Sequence, residues 1–349
     1  MVLFIPIRWL GFFAFLELYI ATRGSIGEMK LKYLLAVLIG ASSYGILSTF
    51  VVLAYGHGYQ LGEVVGTQLL TGCILSWLLA MYTKLREKRK QGTMNSGGRT
   101  ANLTDSTAKP AKKLTWKQRL MLMLVGTPTA ITGLLYYYSL QYIPASLAIV
   151  LLFQFTWISV LIQAISKRER PNGVMLFTLV LLFGGTLLAA GLMEQGGAQF
   201  SAIGVTFGLL AAVSYSLFVL FSGKALPSVN PAYRSAWMIT GGLVLVFILF
   251  PPHFLFNGLL WSNLLLFGFL LGLFGAFIPP VLYAIGVPHV GEGMTGIFGA
   301  AELPVAVMMS SMVLHEHVTA LQWIGVVIVL LGVMFPELYK RSKRRLVTN

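Results

Sequence analysis

The sequence predicts an all-α polytopic membrane protein of ten transmembrane helices, arranged as two inverted five-helix repeats. Three observations carry that prediction. Long runs of the chain hold no charge, the basic residues fall in alternate loops, and residue identities recur at a fixed offset.

The 349 residues are 57% hydrophobic and only 10% charged, with a mean hydropathy of +0.80. A soluble globular chain carries roughly a quarter charged residues. No Asp, Glu, Lys or Arg lies between Lys32 and Glu63, Glu63 and Lys84, Arg119 and Lys167, Arg170 and Glu194, Glu194 and Lys224, or Arg234 and Glu292. About 20 apolar residues make one crossing helix, so these runs are read as spans. The single cysteine, Cys73, excludes an intrachain disulfide, and its expected role is packing within a helix.

The spans follow in order. The first two are expected at 32–55 and 63–82, followed by a polar segment. The run from Arg119 to Lys167 is long enough for two spans. Pro144 in QYIPAS divides it, because proline lacks the amide donor and stops the preceding helix. That gives spans at 118–141 and 145–166. The fifth is placed at 171–193 and the sixth at 202–223. Pro251-Pro252 divides the next run into 231–250 and 259–287, and the last two spans are 291–314 and 319–339. Thr319-Ala320-Leu321-Gln322 fits a capping box opening the last helix.

Net charge is +14. In a soluble chain that would suggest nucleic acid, but here the residues sort by side of the membrane, and no nucleic-acid partner is expected. Of the 25 Lys and Arg, 24 fall in segments 21–32, 83–119, 166–172, 223–234, 287–291 and the C-terminus. Arg8 is the exception. The loops GHGYQLGE, QYIPA, EQGGAQFSA, PPHFLFNG and HEHVTA hold none. By the positive-inside rule, both ends of the ten-helix unit are cytoplasmic, in an inner or plasma membrane.

Residues 1–28 form a hydrophobic extension that carries Arg8 and Glu17. It reads as an eleventh span, a surface helix or an upstream start, and the residues do not choose among these. The segment 83–117, basic and rich in Gly, Ser and Thr, is expected to be a disordered cytoplasmic linker inside the first repeat (32–193). The second repeat covers 202–339, and 340–349 is a basic tail.

Tyr136, Glu169 and Gly185 recur as Tyr283, Glu316 and Gly332, each 147 positions on. Ser43-Tyr44 in the first span likewise recurs as Ser214-Tyr215 in the sixth. Five spans per copy is an odd number, so the second copy lies upside down relative to the first. The basic Lys167-Arg168-Glu169-Arg170 aligns with His315-Glu316-His317, which has no Lys or Arg. Inverted repeats are characteristic of secondary transporters, with substrate sites near the midplane between copies. That points to transport of a small molecule.

The segments LLYYYSLQYIPASLAIVLL and VLYAIGVPHVGEGMTGIFGAAELPVAVMMSSMVLHEHVTALQWIGVVIVLLGV resemble the EamA-type members of the drug/metabolite transporter superfamily. The resemblance covers about residues 33–336. It implies a carrier of amino acids, drugs or related small metabolites, usually exported. The first copy departs from the pattern, with Trp157 where the second has Pro304. The fourth span is therefore expected to be straighter than the ninth.

Glu302 is the residue that asks most of its surroundings. An ionised carboxylate in mid-membrane must be paired, solvated or protonated, and Pro304 nearby frees backbone carbonyls. The carboxylate either lines the substrate cavity, with or without carrying a coupling proton, or is a neutral acid bonded to another helix. In a family resembling this one, spans one, three, four, six, eight and nine surround the cavity. Tyr44, Tyr136, Trp157, Tyr215 and Tyr283 lie on five of them, and Gln154 is a polar residue deep in the fourth. Gly293, Gly296 and Gly299 allow close helix approach, and Pro279, Pro280 and Pro304 are bending points.

His315 and His317 are two apart, which does not place them on one helical face, so no metal site is expected. No cofactor is expected and no catalytic residue is nominated. The chain has no phosphate-binding loop that would let ATP drive transport. The oligomeric state is not readable. The alternative is a membrane-embedded enzyme or a sensor, and an enzyme would call for clustered carboxylates, histidines or a nucleophile.

Overall fold

The structure is a computed structural model that describes residues 28–96, 114–167, 173–189, 201–222, 225–226, 229–290, 295 and 298–348. The extension 1–27, the linker residues 97–113, Glu169, and the glycines Gly293 and Gly296 lie outside the described residues.

Among the described residues every regular element is helical. In chain order they are α1 (Glu28–Gly45), α2 (Leu47–Gly56), α3 (Leu61–Ser96), α4 (Trp116–Ser139), α5 (Ala145–Leu152), α6 (Phe155–Lys167), α7 (Gly173–Ala189), α8 (Ala202–Ser222), α9 (Pro231–Leu249), α10 (Asn263–Leu271), α11 (Ile278–Val290), α12 (Glu302–Val313) and α13 (Ala320–Thr348). A π-helical turn, Gly272–Phe277, joins α10 to α11. Among the described residues six stretches are long and apolar enough to cross a membrane: Leu31–Gly56, Leu61–Arg86, Trp116–Ser139, Ala202–Phe221, Pro231–Leu249 and Asn263–Val290. Four shorter apolar stretches accompany them: Ala145–Ser159, Leu176–Ala189, Glu302–Val313 and Ala320–Pro336. Large apolar side chains such as Ile39, Leu124, Phe183, Ile248 and Leu266 face outward, as they do where the surrounding solvent is lipid.

The boundaries at Pro144 and Thr319 match the expectation. Pro144 directly precedes α5. The amide of Thr319 donates to Gln322 Oε1 at 2.8 Å, and the Gln322 amide donates to Thr319 Oγ1 at 3.2 Å. Elsewhere the structure differs. The linker does not begin at residue 83, because α3 continues to Ser96 through LREKRKQ, a run of good helix formers that propagates a helix already nucleated. The first span is interrupted at Ile46, where Ser43 accepts an i→i−3 bond from the Ile46 amide at 3.4 Å.

The fourth span is not straighter than the ninth. It breaks at Phe153–Gln154 without a proline, and the ninth breaks at Ala300–Ala301, each 147 residues on. The local bonding is the same at both. The amides of Gln154 and Thr156 donate to Leu151 and Phe153, and those of Ala301 and Leu303 donate to Phe298 and Ala300, at 3.1 to 3.2 Å. In the fourth span side chains replace the proline. Gln154 Nε2 takes the Val150 carbonyl at 2.9 Å, and Thr156 Oγ1 takes the Phe153 carbonyl at 3.0 Å. Pro304 accordingly sits in the first turn of a new helix, where its missing amide costs little. Pro279 and Pro280 open α11 immediately after the π turn. With no amides to offer the carbonyls four residues back, they favour the wider winding there.

The extensive packing is between an early helix and a late one. The helix α1 packs on α11 and α12, α3 on α9 and α10, α4 on α8 and α9, α5 on α8 and α12, α6 on α8, and α7 on α13. Backbones meet where glycine allows it. Gly126 of α4 abuts the Met238 carbonyl of α9, and Gly241 of α9 abuts the Met123 carbonyl of α4. Such close approach lets helices pack by van der Waals contact in lipid.

Candidate functional site

The breaks in the first and ninth spans lie against each other. A Cβ on Gly45, the last residue of α1, would sit 2.6 Å from the Glu302 carbonyl and 2.9 Å from the Val305 side chain. Only glycine permits that approach, and it sets Tyr44 beside the start of α12.

Around Glu302 the structure gathers tyrosines from four helices. Tyr44 of α1, Tyr136 of α4, Tyr215 of α8 and Tyr283 of α11 each lie within electrostatic range of its carboxylate. Tyr215 is also within range of Tyr44 and Tyr283. The Tyr44 and Tyr283 rings are 6.3 Å apart, tilted by 42°. Tyr215 meets the edge of Phe155, the residue 147 positions before Glu302, at 4.6 Å and 80°. Tyr44, Tyr215, Tyr283 and Glu302 are half-buried.

The polar groups here are under-used. Tyr136 Oη, Ser48 Oγ and Thr49 Oγ1 are buried and have no hydrogen-bond partner of good geometry, although Ser48 and Tyr136 are close enough to interact. Their residues are 6%, 2% and 0% exposed. Buried hydroxyls normally find partners, and of these three Tyr136 is the one within electrostatic range of Glu302. Ser48 and Thr49 carried no sequence signal, being two hydroxyls among many in apolar spans.

Gln154 and Trp157 are placed differently. Gln154 Nε2 donates to Thr186 Oγ1 of α7 at 2.7 Å, and Trp157 Nε1 donates to Gln154 Oε1 at 2.9 Å. These bonds tie the break in the fourth span to α7, and the structure does not bring either residue to the tyrosine set. Gly299 lies on it, with its Cβ position 3.6 Å from the Tyr283 hydroxyl. No group of three His, Cys, Asp or Glu that could hold a metal occurs among the described residues.

Sequence reasoning missed a second carboxylate. Glu316, in the loop after α12, accepts the Ala145 amide at 2.7 Å and the Ser146 amide at 3.1 Å. These are the first two amides of α5, which lack partners within the helix. His315 adopts φ +56, the left-handed conformation that ends many helices, and so turns the chain toward α5. A cavity of about 910 Å³ opens at the same basic-free end, lined by Tyr55, Tyr59, Glu63, Tyr138, Gln141 and His253 among others, and by none of the tyrosines around Glu302.

The sequence model of the EamA-like transporter family matches residues 31–191 and again 202–336, most of the chain. The chain belongs to the EamA-like transporter family. It is also 23% identical over 201 residues to an uncharacterized transporter of Synechocystis sp., a match covering 56% of this chain and 59% of that protein. The chain thus spans less than two thirds of that relative's length. It is 23% identical over 233 residues to the uncharacterized inner membrane transporter YicL of Salmonella typhimurium, covering 66% of this chain and 76% of YicL. A solved crystal structure matches with a TM-score of 0.56 at 16% identity, covering 88% of this chain and 98% of that one. That likeness concerns the fold alone. In this structure the two matched segments meet at the Glu302 site. Tyr44 and Tyr136 come from the first segment, and Tyr215, Tyr283 and Glu302 from the second.

Proposed function

We propose that this EamA-family protein is a secondary transporter that exports a small metabolite by alternating access. Its ten spans form two inverted repeats with cytoplasmic ends, and its substrate binds at Glu302 between them. The observation that carries this reading is the lone carboxylate at a helix break, ringed by tyrosines contributed from both matched segments. The reciprocal packing supports the two-fold relation. Contacts α1 with α11 and α12 mirror α8 with α4, α5 and α6, and α3 with α10 mirrors α9 with α4. Broken helices near the midplane supply both a polar site and a hinge. The Glu316 contact with α5 is a latch on the basic-free end, released when that end opens.

The test is solute counterflow into liposomes holding the purified protein, run against a metabolite panel. Wild type should exchange at least one solute, and Glu302→Gln, folded by its elution profile, should lose at least about 90% of the rate, as intramembrane acids are functional by default. Wild-type exchange by that variant would remove Glu302 from the site. Product formation without solute movement would make the protein an enzyme.

A further inference from the structure

We infer that the cargo of the Glu302 site is a small organic cation carrying an amine or ammonium group, an inference that rests on the transport reading above and names the substrate class for its site. The charge balance is the first argument. Among the described residues Glu302 has no ion-pair partner. The basic residues on the helices that build the site are remote. Lys32 is roughly 18 Å from Tyr44 along α1, and Arg119 roughly 25 Å from Tyr136 along α4, at 1.5 Å per residue. His289 follows Tyr283 on α11 but stacks on Tyr33, ring centroids 3.7 Å apart. A carboxylate left without a cation by its own protein is a socket for one brought by the ligand.

The second argument is what an anion would find. The amides of Leu303 and Val305 at the start of α12 are already bonded to the Ala300 and Ala301 carbonyls, and Pro304 has no amide. The second to fourth residues of this helix therefore offer no open backbone donor of the kind that makes other helix N-termini anion sites. A carboxylate or phosphate cargo would meet the Glu302 carboxylate with no Lys or Arg of these helices close enough to offset the repulsion. A zwitterionic amino acid would meet the same obstacle at one end.

The third argument is the aromatic lining. The electron-rich faces of tyrosine attract ammonium groups, and cages of such rings recognise amines. The Tyr44 and Tyr283 rings lie 6.3 Å apart, tilted by 42°, and Tyr215 packs T-shaped with Phe155 at 4.6 Å.

Four probes built on the same phenethyl unit vary the charge at its end: phenethylammonium, 3-phenylpropanol, 3-phenylpropionate and phenylalanine. Binding to the full-length protein is read by calorimetry in detergent, and exchange by counterflow in liposomes. Phenethylammonium should bind at least about 10-fold more tightly than the other three. Glu302→Gln should weaken it about 10-fold and leave 3-phenylpropanol unchanged. Tyr283→Leu, whose helix has no buried charge to lose, should weaken it several-fold and serves if the first variant does not fold. The inference is overturned if the propionate or phenylalanine binds as tightly as the amine, if neither variant alters amine affinity, or if the amine does not bind. Amine binding without counterflow supports the cation site and defeats the transport reading. Counterflow of the propionate alone does the reverse.

Discussion

Removing the Glu316 carboxylate should loosen the basic-free end of the bundle by a calculable amount. The residue is half-buried and accepts two backbone amides at 2.7 and 3.1 Å. A hydrogen bond to a charged group contributes about 1.5–3 kcal/mol in good geometry. Partial exposure lowers this, and the negative charge at a helix N-terminus adds a few tenths of a kcal/mol. The pair together then contributes about 1–2 kcal/mol, a factor of roughly 5 to 30 in the ratio of closed to open ends. Cys73 is the only cysteine, so a Cys73→Ala background accepts a reporter. Leu147, 5% exposed and the residue after Ser146, is suited to replacement by cysteine. Maleimide labelling of that cysteine in detergent should quicken about 5- to 30-fold in Glu316→Ala, by the same ratio. Glu316→Gln, which keeps one acceptor, should fall between. Unchanged labelling in Glu316→Ala would refute the reasoning, and the contact would then be mere decoration of a rigid end.

Two further predictions concern the central site. Tyr136→Phe should cost no more than about 1 kcal/mol of stability, because the buried hydroxyl meets Ser48 without good hydrogen-bond geometry, yet it should change the affinity for cargo. A matching loss of thermal midpoint and affinity would make that hydroxyl structural. Gly45→Leu should abolish counterflow, because even its Cβ would lie 2.6 Å from the Glu302 carbonyl, while the protein still inserts and elutes as wild type. Wild-type counterflow would show that the approach of α1 to α12 does not position Tyr44.

The spans were legible because lipid imposes a coarse rule: charge-free runs of sufficient length, ended by Pro144 or Thr319. The tyrosine ring was partly legible, since Tyr136 and Tyr283 are one repeat pair and Tyr44 and Tyr215 another. The breaks were harder. Proline announced the one at Pro304, but the one at Phe153–Gln154 is made by a glutamine and a threonine borrowing backbone carbonyls. Such bonds need a partner helix, here α7 through Thr186, and partners are not visible in linear order. Glu316 was hidden for the same reason. Its neighbours His315 and His317 drew attention as a loop, while its bonding partners lie 171 and 170 residues away. The extension of α3 to Ser96 was missed because polar, basic composition was read as disorder, when the same residues propagate a helix well.

The crosswise packing of α1 with α11, α3 with α9, α4 with α8 and α7 with α13 also bears on biosynthesis. Neither matched segment owns an interior. While the ribosome makes residues 202–336, roughly 7–27 s at about 5–20 residues per second, the helices of the first matched segment wait in the bilayer with their glycine-lined faces turned to lipid. For that interval the nascent half is an open lock for any stray helix, and its proper key is still being translated.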